Sequence, residues 1–224
     1  MDKKKLKKIL FTRIALTPAV FGLALFLPAG TLRYWEAWVY IGILMILMAG
    51  VMVYFLKHDP EVLERRMKAK EKEQAQKAVV ASVVIMFIAG FVLIGLDRRF
   101  GLSTVPIALV LAADGLVILG YAVFIAVLRA NRFLSRTVEV ETEQKIVTTG
   151  PYAVVRHPMY VGVLLMYLFT PLALGSFWAL IPFAVTMVIL PVRIVNEEKV
   201  LLRDLAGYGD YMKKTRFRLI PGIW

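Results

Sequence analysis

Residues 9–29, 34–56, 79–96 and 105–128 are four long runs of apolar side chains, each near the length a helix needs to cross a bilayer. About 20 residues at 1.5 Å per residue cover a hydrocarbon core of about 30 Å. Inside that core each backbone N–H and C=O must find a partner within its own segment, so every run is predicted to be a helix. Arg13, near the start of the first run, can lay its stem along the helix and reach the interface with its charge. A fifth run, 159–192, has 34 residues. As one helix it would be about 51 Å long, too long for a single crossing. Gly175-Ser176 at its middle supplies a turn. The run is therefore predicted to be a hairpin of two short helices, its arms kinked by Pro171, Pro182 and Pro191. A further helix is expected to start after Val192.

The expected fold is all-α: a polytopic membrane helix bundle of about six transmembrane helices, the last two a helical hairpin. Residues 1–224 form one integral membrane domain, with four spans in 1–128 and a more polar, glycine-punctuated region in 129–224. The N-terminus MDKKKLKKIL is read as the opening of a retained first span, because no convincing cleavage site follows the apolar run. Residues 61–77, rich in Glu, Lys, Ala and Gln, read as a solvated helix joining spans two and three.

The charges orient this bundle. The chain is 59% hydrophobic yet carries a net charge of +12. Of its 28 Lys and Arg, 25 fall in the N-terminus, the 57–77 and 129–156 segments and the tail after 192; only Arg33, Arg98 and Arg99 fall on the other side. That asymmetry predicts a multi-pass protein of the cell (inner) membrane with both termini cytoplasmic. The long apolar runs make a nucleic-acid binder with a large core the weaker reading of the same charge, and no nucleic-acid partner is expected. With no cysteine, disulfides and thiolate chemistry are excluded, and two histidines, His58 and His157, are too few for a three-histidine zinc site. No metal is expected. GxGxxG is absent, so a soluble-type nucleotide domain is not expected.

Chemistry concentrates after residue 129, in three clusters. Gln144 to Tyr152 runs on through Arg156, His157, Pro158, Met159 and Tyr160 to Gly162. Arg193, Asn196, Glu197 and Glu198 follow the apolar hairpin. Gly207 to Tyr211 open a tail that ends in RLIPGIW. The order GPYAVVRHPMYVG, apolar hairpin, RIVNEEKVLL, then a tyrosine-rich basic tail resembles the isoprenylcysteine carboxyl methyltransferase family and, more broadly, membrane methyltransferases that include phospholipid methyltransferases. The resemblance covers about residues 129–224. It implies S-adenosyl-L-methionine as cofactor and a methyl acceptor that is lipophilic or delivered by the lipid bilayer: a prenyl-cysteine, a phospholipid amine or a small thiol. It places Gln144, Lys145, Ile146, Val147, Tyr152, His157, Pro158, Met159, Tyr160 and Glu198 on cofactor positions. It also puts Arg193 or Ile194 on a substrate-side position. The family often has histidine where Gln144 stands.

The side chains fit that chemistry on their own terms. Arg156 and His157 can bind a carboxylate, and Glu197 or Glu198 can accept from an ammonium or a ribose. Tyr152 and Tyr160 offer ring faces to adenine or a cationic centre. Arg193 and Glu198 are the expected catalytic pair, with Glu198 or His157 available as a base if the acceptor is an amine or thiol. Each residue also has a plainer reading. Arg156 and His157 can be interfacial groups facing anionic lipid. Glu197 and Glu198 can be solvated charges at a helix start, paired with Arg193 or Arg203. Tyr208, Tyr211 and Trp224 are expected to be interfacial aromatics. Asp114, inside the fourth span, is expected to pair with Arg98, Arg99 or a polar helix neighbour, and His58 to be a loop residue. Two other functions compete: a membrane NADPH-dependent sterol-reductase-like enzyme, and a non-enzymatic membrane protein that retains the fold.

Overall fold

The structure is a computed structural model that describes residues 3–67, 74–135, 140 and 144–224. Among the described residues the fold is entirely helical. The elements are α1 Lys3–Ala29, α2 Trp35–His58, α3 Pro60–Met67, α4 Gln74–Phe100, α5 Ile107–Ala130, α6 Pro151–Val154, α7 Pro158–Ala173, α8 Leu180–Asp204 and α9 Tyr208–Lys214. Five of these are long and apolar enough to cross a membrane, and α7 is a shorter apolar helix. The chain is thus a polytopic helical bundle, and the four predicted N-terminal runs all lie in helices. Of the helix expected over 61–77, α3 and the start of α4 account for the ends, and 68–73 lie outside the described residues.

Two faces of close packing set the frame. Between α5 and α7, Gly120 and Gly162 stand back to back. A Cβ at Gly162 would sit 2.7 Å from the Gly120 carbonyl oxygen, and one at Gly120 would sit 2.8 Å from the Gly162 oxygen. Only glycine allows backbones this near, a common device where lipid removes the hydrophobic drive for helix association. Gly95 of α4 likewise meets the Leu25 carbonyl of α1, and Gly90 meets the Phe183 ring of α8. The main core, with Leu25, Tyr34, Phe91, Ile94, Val117 and Phe183, lies among α1, α2, α4, α5, α7 and α8. A second cluster, Leu6, Phe55, Val62, Leu63 and Leu128, closes the end of the bundle that holds the start of α1 and α3.

The hairpin forms as expected, with its turn between α7 and α8 at Leu174–Ala179. Gly175 there has φ +72°, which a side-chain-bearing residue rarely adopts. Asp97 holds the turn by accepting hydrogen bonds from Ser176 and Ser103, and Tyr34 donates to the Leu174 carbonyl. The arms are unequal. The 16 residues of α7 rise about 24 Å and the 25 of α8 about 37 Å. Counting 16 residues up α8 from Leu180 reaches Asn196. The hairpin therefore sets Arg193–Glu198 level with His157–Tyr160 at the open end of α7.

Several expectations are corrected. No new helix starts after Val192: α8 continues through Pro191 to Asp204, carrying Glu197 and Glu198 well inside it. Pro182 lies in the first turn of α8, where proline is tolerated, which leaves Pro171 inside α7 and Pro191 inside α8. Asp114 does not pair with Arg98 or Arg99. It is buried and both its oxygens lack a hydrogen-bond partner among the described residues, while Arg98 donates to the Arg33 carbonyl and lies 3.8 Å from Glu36. His58 is the last residue of α2, stacked on the Tyr54 ring at 4.5 Å.

Candidate active site

At the open end of the hairpin, α7 begins at Pro158, whose fixed φ and absent N–H suit the first helical position. The two residues before it pair with the tail: the Arg156 N–H donates to the Phe217 carbonyl and the His157 N–H to that of Arg218, both at 2.9 Å. This backbone pairing draws the tail across the helix ends and buries what lies beneath it.

Beneath it lies Glu198, 3% exposed. Its Oε1 accepts from Arg156 Nε at 2.7 Å and lies 3.3 Å from His157 Nε2, and its Oε2 accepts from Arg218 Nε at 2.8 Å. Arg156 is also 6% exposed, and its Nη1 donates to the carbonyls of Thr215 and Arg216 at 2.9 and 2.6 Å. Each charge is thus enclosed by the opposite charge and by main-chain oxygens, which is the condition under which burial of ions is tolerated. Arg156 and Glu198, expected to hold a ligand's carboxylate and its ammonium or ribose, instead hold each other and the tail.

One residue earlier on α8, Glu197 has a different set of partners. Its Oε2 accepts from the Tyr160 hydroxyl at 2.7 Å, and its Oε1 lies 4.0 Å from His157 Nδ1. Arg193 Nε donates to the same Tyr160 oxygen at 2.9 Å, and Arg193 Nη1 donates to Gln76 Oε1 at 3.1 Å. The Gln76 amide returns a bond to the Arg193 carbonyl. The chain of bonds Gln76–Arg193–Tyr160–Glu197 fixes the Tyr160 ring between two cavities.

The first cavity is a cleft. Gln144, Lys145, Ile146, Val147, Tyr152 and the run from Arg156 to Tyr160 line it, together with Glu197. Of the residues expected to touch a cofactor, Glu198 alone does not line it. The second cavity is an apolar groove of about 860 Å³ among α1, α4, α7 and α8, walled by residues such as Phe21, Val83, Phe87 and Leu190. Tyr160 borders both cavities, and Arg193 borders the groove.

The cleft also has walls that sequence reasoning missed. Leu201 and Leu205 continue the stripe of Glu197 at helical spacing, a signal that was present in the sequence. Asn131 to Ser135 were invisible as site residues. They are held there by α3, where Arg65 donates to the Arg132 carbonyl and Arg66 to that of Ser135, at 3.0 and 2.9 Å. Tyr208 and Tyr211 are not interfacial aromatics: both are 4% exposed and line the cleft. Tyr211 donates to the Tyr152 carbonyl at 2.8 Å, and Asn131 donates to the Tyr152 hydroxyl at 3.1 Å. Burial pushes the Tyr211 phenol up to about 12 and those of Tyr152 and Tyr208 higher, so all three are neutral O–H groups at physiological pH. Trp224 is half-buried, with the Arg218 guanidinium 5.2 Å from its ring centre.

The donor set discriminates among ligands. It offers one carboxylate, one imidazole, two amides and several phenols around an apolar slot. Its basic groups are Lys145 and an Arg156 already bound to Glu198. Such a cleft suits a nucleoside with a zwitterionic and cationic tail, and among the described residues it lacks the cluster of cations that a dinucleotide's phosphates require. No group of three or more His, Cys, Asp or Glu among the described residues is placed to hold a metal ion.

Residues 109–203 match the sequence profile described as the isoprenylcysteine carboxyl methyltransferase (ICMT) family. No curated protein matches the chain. Among solved structures, the fold is similar to that of the eukaryotic intramembrane Ras methyltransferase ICMT, with a TM-score of 0.51 and 22% identity over 93% of this chain and 76% of that one.

Proposed function

From a chain whose residues 109–203 match the isoprenylcysteine carboxyl methyltransferase family profile, we propose an S-adenosylmethionine-dependent methyltransferase of the membrane that acts on a lipophilic acceptor. The observation that carries this reading is the meeting of two unlike cavities at one residue: a polar cleft and an apolar groove, both bordered by Tyr160. A water-soluble cofactor and a lipid-like acceptor would enter from different phases and meet there.

When bound, S-adenosylmethionine supplies a methyl group on a positively charged sulfur. Glu197 and the Tyr160 ring provide the negative charge and the π face that favour such a cation beside the groove. Gln144 and His157 serve as polar contacts for its charged or hydroxylated parts. Glu198 and Arg156 are positioning residues: they lock the tail over the cleft and hold His157 in place. Arg193, at the end of the groove, is the counter-charge for an anionic acceptor head, which favours a prenyl-cysteine carboxylate over a phospholipid amine or a small thiol. A carboxylate acceptor needs no base, so alignment and the exclusion of water from the junction do the catalytic work.

The deciding experiment is calorimetry in detergent with S-adenosylmethionine and NADPH in turn, followed by transfer of labelled methyl to an S-farnesylcysteine or to phosphatidylethanolamine vesicles. Binding of NADPH alone supports the reductase reading. Binding of neither leaves a non-enzymatic protein. Methylation of the amine lipid and not of the farnesylcysteine would overturn the acceptor assignment. Arg193→Gln is expected to raise the KM for the farnesylcysteine about tenfold or more, from loss of a charged hydrogen bond, with the cofactor Kd little changed. An equal rise in both constants would move Arg193 out of the acceptor site.

The same reading places the cleft on the cytoplasmic side of the cell membrane, because 25 of the 28 basic residues flank that end. Reporter fusions after Lys77 and Trp224 should be cytoplasmic and fusions after Arg99 and Gly175 external. A C-terminal reporter on the outside would reverse the orientation.

A further inference from the structure

Tyr208 is buried to 4% exposure, borders the cleft, and its hydroxyl has no hydrogen-bond partner among the described residues. Its neighbour Tyr211, equally buried, does have one, the Tyr152 carbonyl. A buried phenol left unpaired is unfavourable, and such groups in native folds call for an explanation. The placement is specified by the chain. Gly207 adopts φ +82° before α9, and a Cβ there would come within 3.4 Å of Ile146. The Tyr208 ring then packs with Ile146, Leu201 and Leu205.

The position along the cleft says what the hydroxyl meets. Glu197 and Leu201 of α8 and Leu205, which caps it, form one stripe about 12 Å long, at 1.5 Å per residue over eight steps. One end of this stripe lies at Tyr160, where the cleft joins the groove, and the other at Tyr208. The reacting end of a methyl donor has to lie at the groove. The far end is a slot of aliphatic walls and the rings of Tyr208 and Tyr211, which suits a flat base and not a zwitterion. We infer that Tyr208 is the base-binding residue of the cleft: its ring forms one wall of an adenine slot, and its unpaired hydroxyl hydrogen-bonds the base. The inference rests on the methyltransferase reading above.

The test uses the full chain in detergent, with S-adenosylhomocysteine and adenosine as probes and the melting temperature without ligand as a third reading. Tyr208→Phe keeps the ring and removes only the hydroxyl. It should bind both probes about tenfold more weakly, the loss of one hydrogen bond, while the ligand-free melting temperature stays unchanged or rises. Tyr211→Phe should instead lower the ligand-free melting temperature, since that hydroxyl is already bonded inside the fold. If Tyr208→Phe destabilises the ligand-free protein as Tyr211→Phe does, the hydroxyl has an internal partner and the inference fails. If the variant binds S-adenosylhomocysteine as tightly as the parent does, Tyr208 is not a ligand. If it loses affinity for S-adenosylhomocysteine and keeps it for adenosine, the hydroxyl serves the amino-acid end and the base assignment is overturned. A parent protein that binds neither probe overturns the methyltransferase reading, and this inference with it.

Discussion

Glu198→Ala is expected to destabilise the protein by about 3–5 kcal/mol, because it strands Arg156 as a buried charge without its counter-ion. Arg156 has nowhere else to place its charge: it is 6% exposed, and its remaining partners are two main-chain carbonyls. Arg218 would lose its anchor on Oε2, and with it the tail residues that pair with the Arg156 and His157 amides. The cleft should then come apart from its tail side, so cofactor binding falls together with the melting temperature. Glu197→Gln makes the contrast. Its side chain is 21% exposed and lines the cleft, so the substitution should leave the melting temperature close to the parent's and weaken S-adenosylmethionine binding roughly ten- to hundredfold. Thermal melts by tryptophan fluorescence and calorimetry on both variants decide. If Glu198→Ala melts like the parent but binds no cofactor, Glu198 is a direct ligand, not part of the frame.

The second large effect lies away from the cleft. Gly162→Leu should prevent α5 and α7 from packing, since even a Cβ at this position would overlap the Gly120 oxygen at 2.7 Å. Overpacking a well-filled contact typically costs about 1–3 kcal/mol, and more where the obstacle is backbone that cannot turn aside. Here the obstacle is backbone on both helices. Because α7 starts at the site, any retreat of α7 carries His157 and Tyr160 away from Glu197. The expected result is loss of monodisperse protein in size-exclusion chromatography, or a folded remainder without cofactor binding. Gly115→Leu, on an exposed face of α5 with nothing within 4 Å of the added Cβ, should behave as the parent does. Normal elution and binding by Gly162→Leu would show that the helices can separate without harm to the site.

The bundle itself was legible in the order of residues. Apolar runs of membrane length can satisfy their backbones in hydrocarbon only as helices, so their number and approximate places followed from composition along the chain. The hairpin was legible for the same reason, since 34 apolar residues with a central Gly-Ser cannot be one crossing. The location of the site was legible as well. Residues 144–160 and 193–198 carry polar groups at the two ends of one hairpin, and a hairpin brings its ends together.

What only the tertiary structure decided was the direction in which adjacent side chains point. Consecutive residues on a helix are turned about 100° from each other, so one of Glu197 and Glu198 can face the cleft while the other does not. Which one does depends on what covers α8, and that is set by contacts distant in sequence. The tail pairs with Arg156 and His157 and closes over Glu198, while Tyr160 claims Glu197. The same covering turned Arg156 inward and drew Tyr208 and Tyr211 out of the expected interface into the cleft wall. An isolated α8 would present both glutamates to water. The packing of α7 and the tail against it gives one of them a buried counter-ion and leaves the other at the open site.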